Sequence, residues 1–217
     1  MNNNMKALIR KMVEADYKYK NNHLASCLSA LPIIDKIYSN FDYDNDIFIL
    51  SKGHACYALY AVLEKHGYSV DWAKIHPDRN PAKGITITSG SLGHGLGIGA
   101  GIALSKRILD QSGKVYVLLG DGECQEGSVW EALLNISSLE LYKEFMEIYI
   151  DNNKYQGTSK ELHSAVDKLK LAFPFLNIVN TNRWEGIEFM KFYPGETVHL
   201  ITAQEYDIIM KELSNER

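Results

Sequence analysis

The sequence predicts an α/β fold, a parallel sheet flanked by helices on both faces. Three observations carry that expectation. Short apolar runs of strand length alternate with longer stretches of helical periodicity, the pattern of repeated strand–helix units. Three of these runs end in residues poor at continuing a strand: Ser51-Lys52-Gly53, Gly120-Asp121-Gly122 and Asp151-Asn152-Asn153. A glycine-rich segment opens one of the intervening helices. Alternation of this kind favours parallel strands joined by helical crossovers.

The elements follow in order. Leu8, Ile9, Met12 and Val13 recur at helical intervals, so residues 5–20 read as a helix. A second helix is expected over 28–41, with Pro32 tolerated near its first turn. "DIFILS" (46–51) reads as a buried strand, and "CYALYAVLEKHG" (56–67) as a helix stopped by Gly67. The β-branched "ITIT" (85–88) predicts a short extended piece. A glycine-rich entry leads into a helix over 93–112, then come a strand at 114–120, the helix "SVWEALLNISSLE" and a strand at 147–151. "ELHSAVDKLKLAF" reads as a helix, "LNIVN" as a strand and "YDIIMKELSNE" as a closing helix. No repeat interrupts the pattern, and residues 1–217 are expected to form one domain with a shortened part after about residue 156.

Bulk composition narrows the function classes. A 217-residue chain with 46% hydrophobic and 23% charged residues is ordinary for a globular protein with a substantial core. A net charge of −4 without a Lys/Arg run argues against a nucleic-acid partner. An anionic ligand would need local help from backbone amides or a metal. The three scattered cysteines, Cys27, Cys56 and Cys124, lack a paired spacing and read as reduced, small buried residues. With neither a signal-peptide pattern nor a membrane-length apolar run, the expected setting is the cytoplasm, off the membrane.

In parallel α/β sheets ligands gather at the carboxyl ends of strands. An acid and an amide from different strand ends suit Mg²⁺ or Ca²⁺, and Mg²⁺ prefers a few protein oxygens supplemented by phosphate and water. The neighbouring glycines let backbone N–H groups approach phosphate oxygens. Each piece alone is commonly a turn; their occurrence on successive strands points to a site. Lys52 and Glu123 read most simply as solvated side chains. Gly97 and Gly101, one helical turn apart, suit close helix packing across a dimer interface.

"LGDGECQEGSVWEAL", followed by "IYIDNNKYQ", resembles the thiamine-diphosphate motif of the transketolase family. "FILSKGHACYALYAVLEKHGY" and "ITITSGSLGHGLGIGAGIALS" are similar to two further segments of that family, in the same order, over roughly residues 20–156. The likeness is to the N-terminal half of transketolase, as in enzymes whose halves are separate polypeptides. It implies that Asp121 and Asn153 are metal ligands, with the main-chain carbonyl of Tyr155 as a third. It further implies that Gly122 offers its amide to the diphosphate, that His54 lies on the diphosphate side, and that Gly90 and Leu92 stand at the diphosphate and thiazolium. Glu126 matches a glutamate at the subunit interface, His23 and His76 match substrate-side histidines, and His199 matches a last active-site histidine. His94 stands where many relatives have glutamine.

The same resemblance implies thiamine diphosphate with Mg²⁺ or Ca²⁺ as cofactors. It also implies a partner resembling the C-terminal, pyrimidine-binding half of transketolase, in a heterotetramer or dimer. The expected reaction is transfer of a two-carbon ketol unit from a ketose-type donor to an aldehyde acceptor. A 2-oxo acid decarboxylase or acyloin synthase subunit and a non-catalytic interaction module are the alternatives.

Overall fold

The computed structural model describes residues 3–154, 164–191, 193 and 199–214. Four parallel strands, β1 (Ile47–Leu50), β2 (Val115–Gly120), β3 (Met146–Asn152) and β4 (Asn177–Asn180), lie in chain order across one sheet. The helices are α1 (Asn3–Tyr19), α2 (Leu24–Tyr38), α3 (Cys56–Lys65), α4 (His94–Ile108), α5 (Gly127–Ser138), α6 (Ser164–Ala172) and α7 (Ala203–Ser214). The α/β expectation therefore holds, with helices on both faces.

Alternation along each strand explains how one sheet serves two cores. Phe48, Leu50 and Leu118 face a core shared with α1, α2, α3 and α7. Ile49, Val115, Val117, Leu119, Met146, Ile148 and Ile150 face the other, filled by α4, α5 and α6. Successive side chains of a strand point to opposite faces, so buried β1–β3 read as continuous apolar runs. When consecutive parallel strands are neighbours, right-handed crossovers place their connecting helices on one face, which is where α4, α5 and α6 pack.

Three local expectations change. Pro32 lies in the interior of α2, which begins at Leu24, so the helix starts earlier than the proline suggested. α4 ends at Ile108, and the chain turns through Asp110 (φ 52°) and Gly113 (φ 86°) into β2. A Cβ at Gly113 would stand 2.3 Å from the Asn45 carbonyl oxygen, so only glycine fits this turn. The 85–88 stretch forms no sheet strand; Ile85 makes one antiparallel bridge to Asn80. The three cysteines are free and buried, as expected.

Candidate active site

The register of the sheet puts the three unusual strand ends side by side. Leu50 pairs with Leu118, and Gly120 with Asp151, so Ser51, Asp121 and Asn153 emerge together at the carboxyl edge. There Asp121 and Asn153 border a cavity of about 300 Å³. Its walls carry His23, His54, His76, Leu92, Asp121, Gly122 and Asn153, together with Ser26, Lys52, Gly120 and Glu123. Seven residues singled out from the sequence thus converge. Gly90 (φ 153°) borders His76, since a Cβ there would lie 3.2 Å from the imidazole Cδ2. Glu126 does not line the cavity; it is the half-buried cap of α5, its Cβ backing onto Gly93. Tyr155 lies outside the described residues.

The histidines come from separate elements. His23 precedes α2, and His54 sits in the short 3-10 turn Gly53–Ala55; their rings are 5.2 Å apart. Burial, reinforced by the Lys52 charge and the other two histidines, lowers the His54 pKa to about 3. Burial, with His76 and Lys52, also lowers that of His23. His54 is therefore uncharged near neutral pH, available as a hydrogen-bond donor and acceptor but not as a fixed cation.

Lys52 and Glu123 are not solvated, contrary to the sequence reading; each is 1% exposed. The Lys52 ammonium donates to Asp151 Oδ2 at 2.5 Å, and the Ser29 hydroxyl donates to the same oxygen at 2.7 Å. Thr181 donates to the other Asp151 oxygen. Asn153 Nδ2 donates to Ser29 Oγ at 3.1 Å, so the amide of the expected metal ligand is anchored to this buried network. Glu123 accepts from Ser51 Oγ (2.6 Å), Gly93 N (2.8 Å) and Gly120 N (2.8 Å). Ser29, Ser51 and Thr181 have no separate signal in the sequence. Lys52 and Glu123 do carry one: each lies a few residues past a buried strand end, where a solvated side chain is hard to place.

Two further positions are settled by geometry. Asp121 Oδ1 accepts the Gly122 amide at 2.9 Å, and the space beyond the Gly122 Cα holds no atom within 4 Å. His199 stands apart from the cavity lining, between the Tyr193 hydroxyl (3.0 Å) and the Glu205 carboxylate (3.1 Å). Its backbone amide donates to the Asn22 carbonyl, which ties the closing segment to the turn carrying His23.

The donor set fits a hydrated divalent cation holding a diphosphate. Among the described residues no three His, Cys, Asp or Glu side chains gather as a metal site. A cation here would therefore draw on Asp121, the Asn153 amide oxygen, main-chain carbonyls and oxygens of its own ligand, the mixture Mg²⁺ favours. Open space at Gly122, beside Asp121, is where a phosphate could approach backbone without meeting a Cβ.

The chain is similar to known proteins. Residues 3–170 match the profile "Transketolase, thiamine diphosphate binding domain". The chain is 33% identical to one subunit of the apulose-4-phosphate transketolase of Phocaeicola vulgatus, over 94% of this chain and 90% of that protein. It is 28% identical to the like-named subunit from Actinobacillus succinogenes, over 97% and 95%. Among solved structures, transketolase from Leishmania mexicana superposes with a TM-score of 0.64 at 17% identity, covering 98% of this chain but 44% of that one. A Pichia stipitis transketolase variant superposes at 0.62 with 22% identity, covering 83% and 36%. The chain thus spans less than half the length of these solved transketolases, and at such identities they speak to the fold alone. With the profile covering most of its length, the chain belongs to the transketolase family, in which it corresponds to the N-terminal, thiamine-diphosphate-binding part.

Proposed function

We propose that this chain is the diphosphate-binding subunit of a two-subunit, thiamine-diphosphate-dependent transketolase that moves a two-carbon ketol unit from a ketose-type donor to an aldehyde acceptor. The observation that carries the reading is the meeting of Asp121, Gly122 and Asn153 with three histidines in one cavity. Asp121 and Asn153 would offer oxygens to Mg²⁺ or Ca²⁺, with the Tyr155 carbonyl as a further ligand, and the Gly122 amide would face the diphosphate. Gly90 and Leu92 would wall the thiazolium side. When bound, thiamine diphosphate supplies a nucleophilic carbon and an electron sink. The histidines handle protons: His23 and His76 at substrate hydroxyl and carbonyl oxygens, His54 as a neutral donor near the cofactor. Glu126 would act across a subunit junction.

Support for a partner comes from two directions. Both bacterial relatives carry names that make them subunits. On this chain, Ile98, Ile108 and Leu134 of adjoining α4 and α5 are 42%, 71% and 58% exposed, and open space flanks Gly97 and Gly101 between them. An apolar face with a flat stripe is suited to another protein surface. No helix among the described residues is long and apolar enough to cross a membrane; a cytoplasmic heterotetramer with a pyrimidine-binding partner is the proposed assembly. Titration calorimetry with thiamine diphosphate and Mg²⁺, on the chain alone and mixed with the partner, tests the proposal. Binding that strengthens with partner and vanishes in Asp121→Ala is expected. Absence of binding by the parent chain with partner present would overturn it.

A further inference from the structure

We infer that Glu123 is a positioning residue of the cofactor cradle, a buried acceptor that holds three separate cavity-wall segments in register. The inference rests on reading the cavity as the thiamine-diphosphate site. The side chain is 1% exposed, and its carboxylate accepts from three uncharged donors: Ser51 Oγ and Gly93 N at Oε1, Gly120 N at Oε2. Each donor leads directly to a cavity residue. Ser51 precedes Lys52 and His54. Gly93 ends the turn that carries Gly90 and Leu92. Gly120 precedes Asp121 and Gly122. One carboxylate therefore sets where the expected thiazolium wall stands relative to the expected metal ligand.

The surrounding backbone is closely packed. Gly93 (φ 80°) caps α4 in the left-handed region, and a Cβ there would meet Ser128 Oγ at 2.5 Å. A Cβ on Gly95 would stand 2.6 Å from Ser51 Oγ. The glycine-rich turn is thus pressed against the end of β1, and Glu123 satisfies the polar groups that this close approach buries. Three donors require an acceptor-only group. A carboxylate is one; an amide is not, because either orientation turns its NH₂ toward at least one backbone N–H. Bonds to a charged acceptor are also about twice as strong as neutral ones.

The test is Glu123→Gln, nearly identical in shape, in the full chain with Mg²⁺ and its partner subunit. Calorimetry should show thiamine diphosphate Kd raised about tenfold or more, while saturating cofactor restores most of kcat. Leu133→Ala, a core truncation in α5 outside the cavity, should lower the thermal midpoint and leave that Kd unchanged. This contrast separates positioning from general destabilisation. Should Glu123→Gln fail to fold, Ser51→Ala removes one donor and keeps the carboxylate, and a severalfold rise in Kd is expected. A folded variant (Glu123→Gln, or Ser51→Ala in its place) with Kd within twofold of the parent overturns the inference while leaving the cofactor reading intact. A parent chain that does not bind thiamine diphosphate overturns both.

Discussion

Glu123 and Asp151 at the carboxyl edge of the sheet and Asp16 in α1 are equally shut off from water, at 1%, 0% and 0% exposure, and the fold treats them in opposite ways. At the edge each carboxylate meets three donors, and for Asp151 one of them is the Lys52 ammonium. At the α1–α2 junction neither Asp16 nor the buried amide of Asn21 makes a hydrogen bond of normal geometry. The same junction holds Lys20 (φ 57°) and Asn22 (φ 62°) in the left-handed region, just before His23. Polar groups buried and satisfied build a rigid wall; polar groups buried and unsatisfied, on strained backbone, cost stability. The difference separates a finished part of the site from a costly turn that delivers one histidine to it.

The largest effect should come from unbalancing the edge. Asp151→Ala strands the Lys52 ammonium in the interior, which costs about 3–5 kcal/mol for a buried pair. Denaturant titration reads it directly. Replacing both partners, Lys52→Met with Asp151→Leu, should recover much of the loss, because a well-packed apolar pair carries no desolvation cost. If the single and double variants are equally destabilised, the edge is held by packing, and the contrast with Asp16 loses its basis.

The junction makes the complementary prediction through pH. Burial raises the Asp16 pKa from 3.8 to about 7, against the opposing pull of the Lys20 charge and the Asn22 amide. A group with a raised folded pKa gives its full contribution below the unfolded value and loses it as pH climbs to the folded one. The Asp16 contribution should therefore fall between about pH 4 and pH 7, by on the order of 2–4 kcal/mol, against an opposite slope from His54 and His23, whose folded pKa values are lowered. Asp16→Asn should make stability rise more steeply through that window than in the parent, and be more stable than the parent at pH 8. A parent and an Asp16→Asn variant with identical pH profiles of stability would show the carboxylate to be solvated.

A smaller effect is expected where the closing segment meets this junction. Thr202 and Glu205 form a reciprocal cap at the start of α7, with Thr202 N donating to Glu205 at 2.7 Å and Glu205 N donating to Thr202 Oγ1 at 3.2 Å. Glu205 also holds His199, whose amide reaches Asn22. Thr202→Ala should cost about 1 kcal/mol, visible as a modest fall in thermal midpoint. Amide exchange at His199 should speed up with it. Unchanged exchange would mean that the cap and the junction are independent.

What was legible in the sequence follows the same division. Strands announced themselves as continuous apolar runs, because β1–β3 are buried on both faces, and the surface helices by their period, because one face is buried. Asp121 and Asn153 were legible because unusual residue types stood at strand ends, whereas His23, His54 and His76 were picked out by the family resemblance. Lys52 and Glu123 were misread, since charged side chains ordinarily seek water and only the register of three strands shows the donors and acceptors waiting for them. Pro32 misled for a related reason: tertiary packing of an almost fully buried α2 carries the helix through it. His199 could not be placed, because its partners, Tyr193 and Glu205, form a local group legible only in three dimensions.

The finest discrimination comes from Gly122. Unlike Gly95 or Gly113, where a Cβ would collide with Ser51 or Asn45, a Cβ here meets nothing within 4 Å among the described residues. Its backbone is not in the left-handed region either, so Gly122→Ala should leave the stability of the ligand-free chain within about 0.5 kcal/mol of the parent. Packing therefore gives no reason for a glycine, and the reason must lie in what occupies the space. If that is a phosphate drawn to the Gly122 amide, the added methyl should weaken thiamine diphosphate binding by about tenfold or more while the thermal midpoint without cofactor stays put. Unchanged affinity would place the diphosphate elsewhere in the cavity and leave the edge built around Asp121 and Asn153 alone.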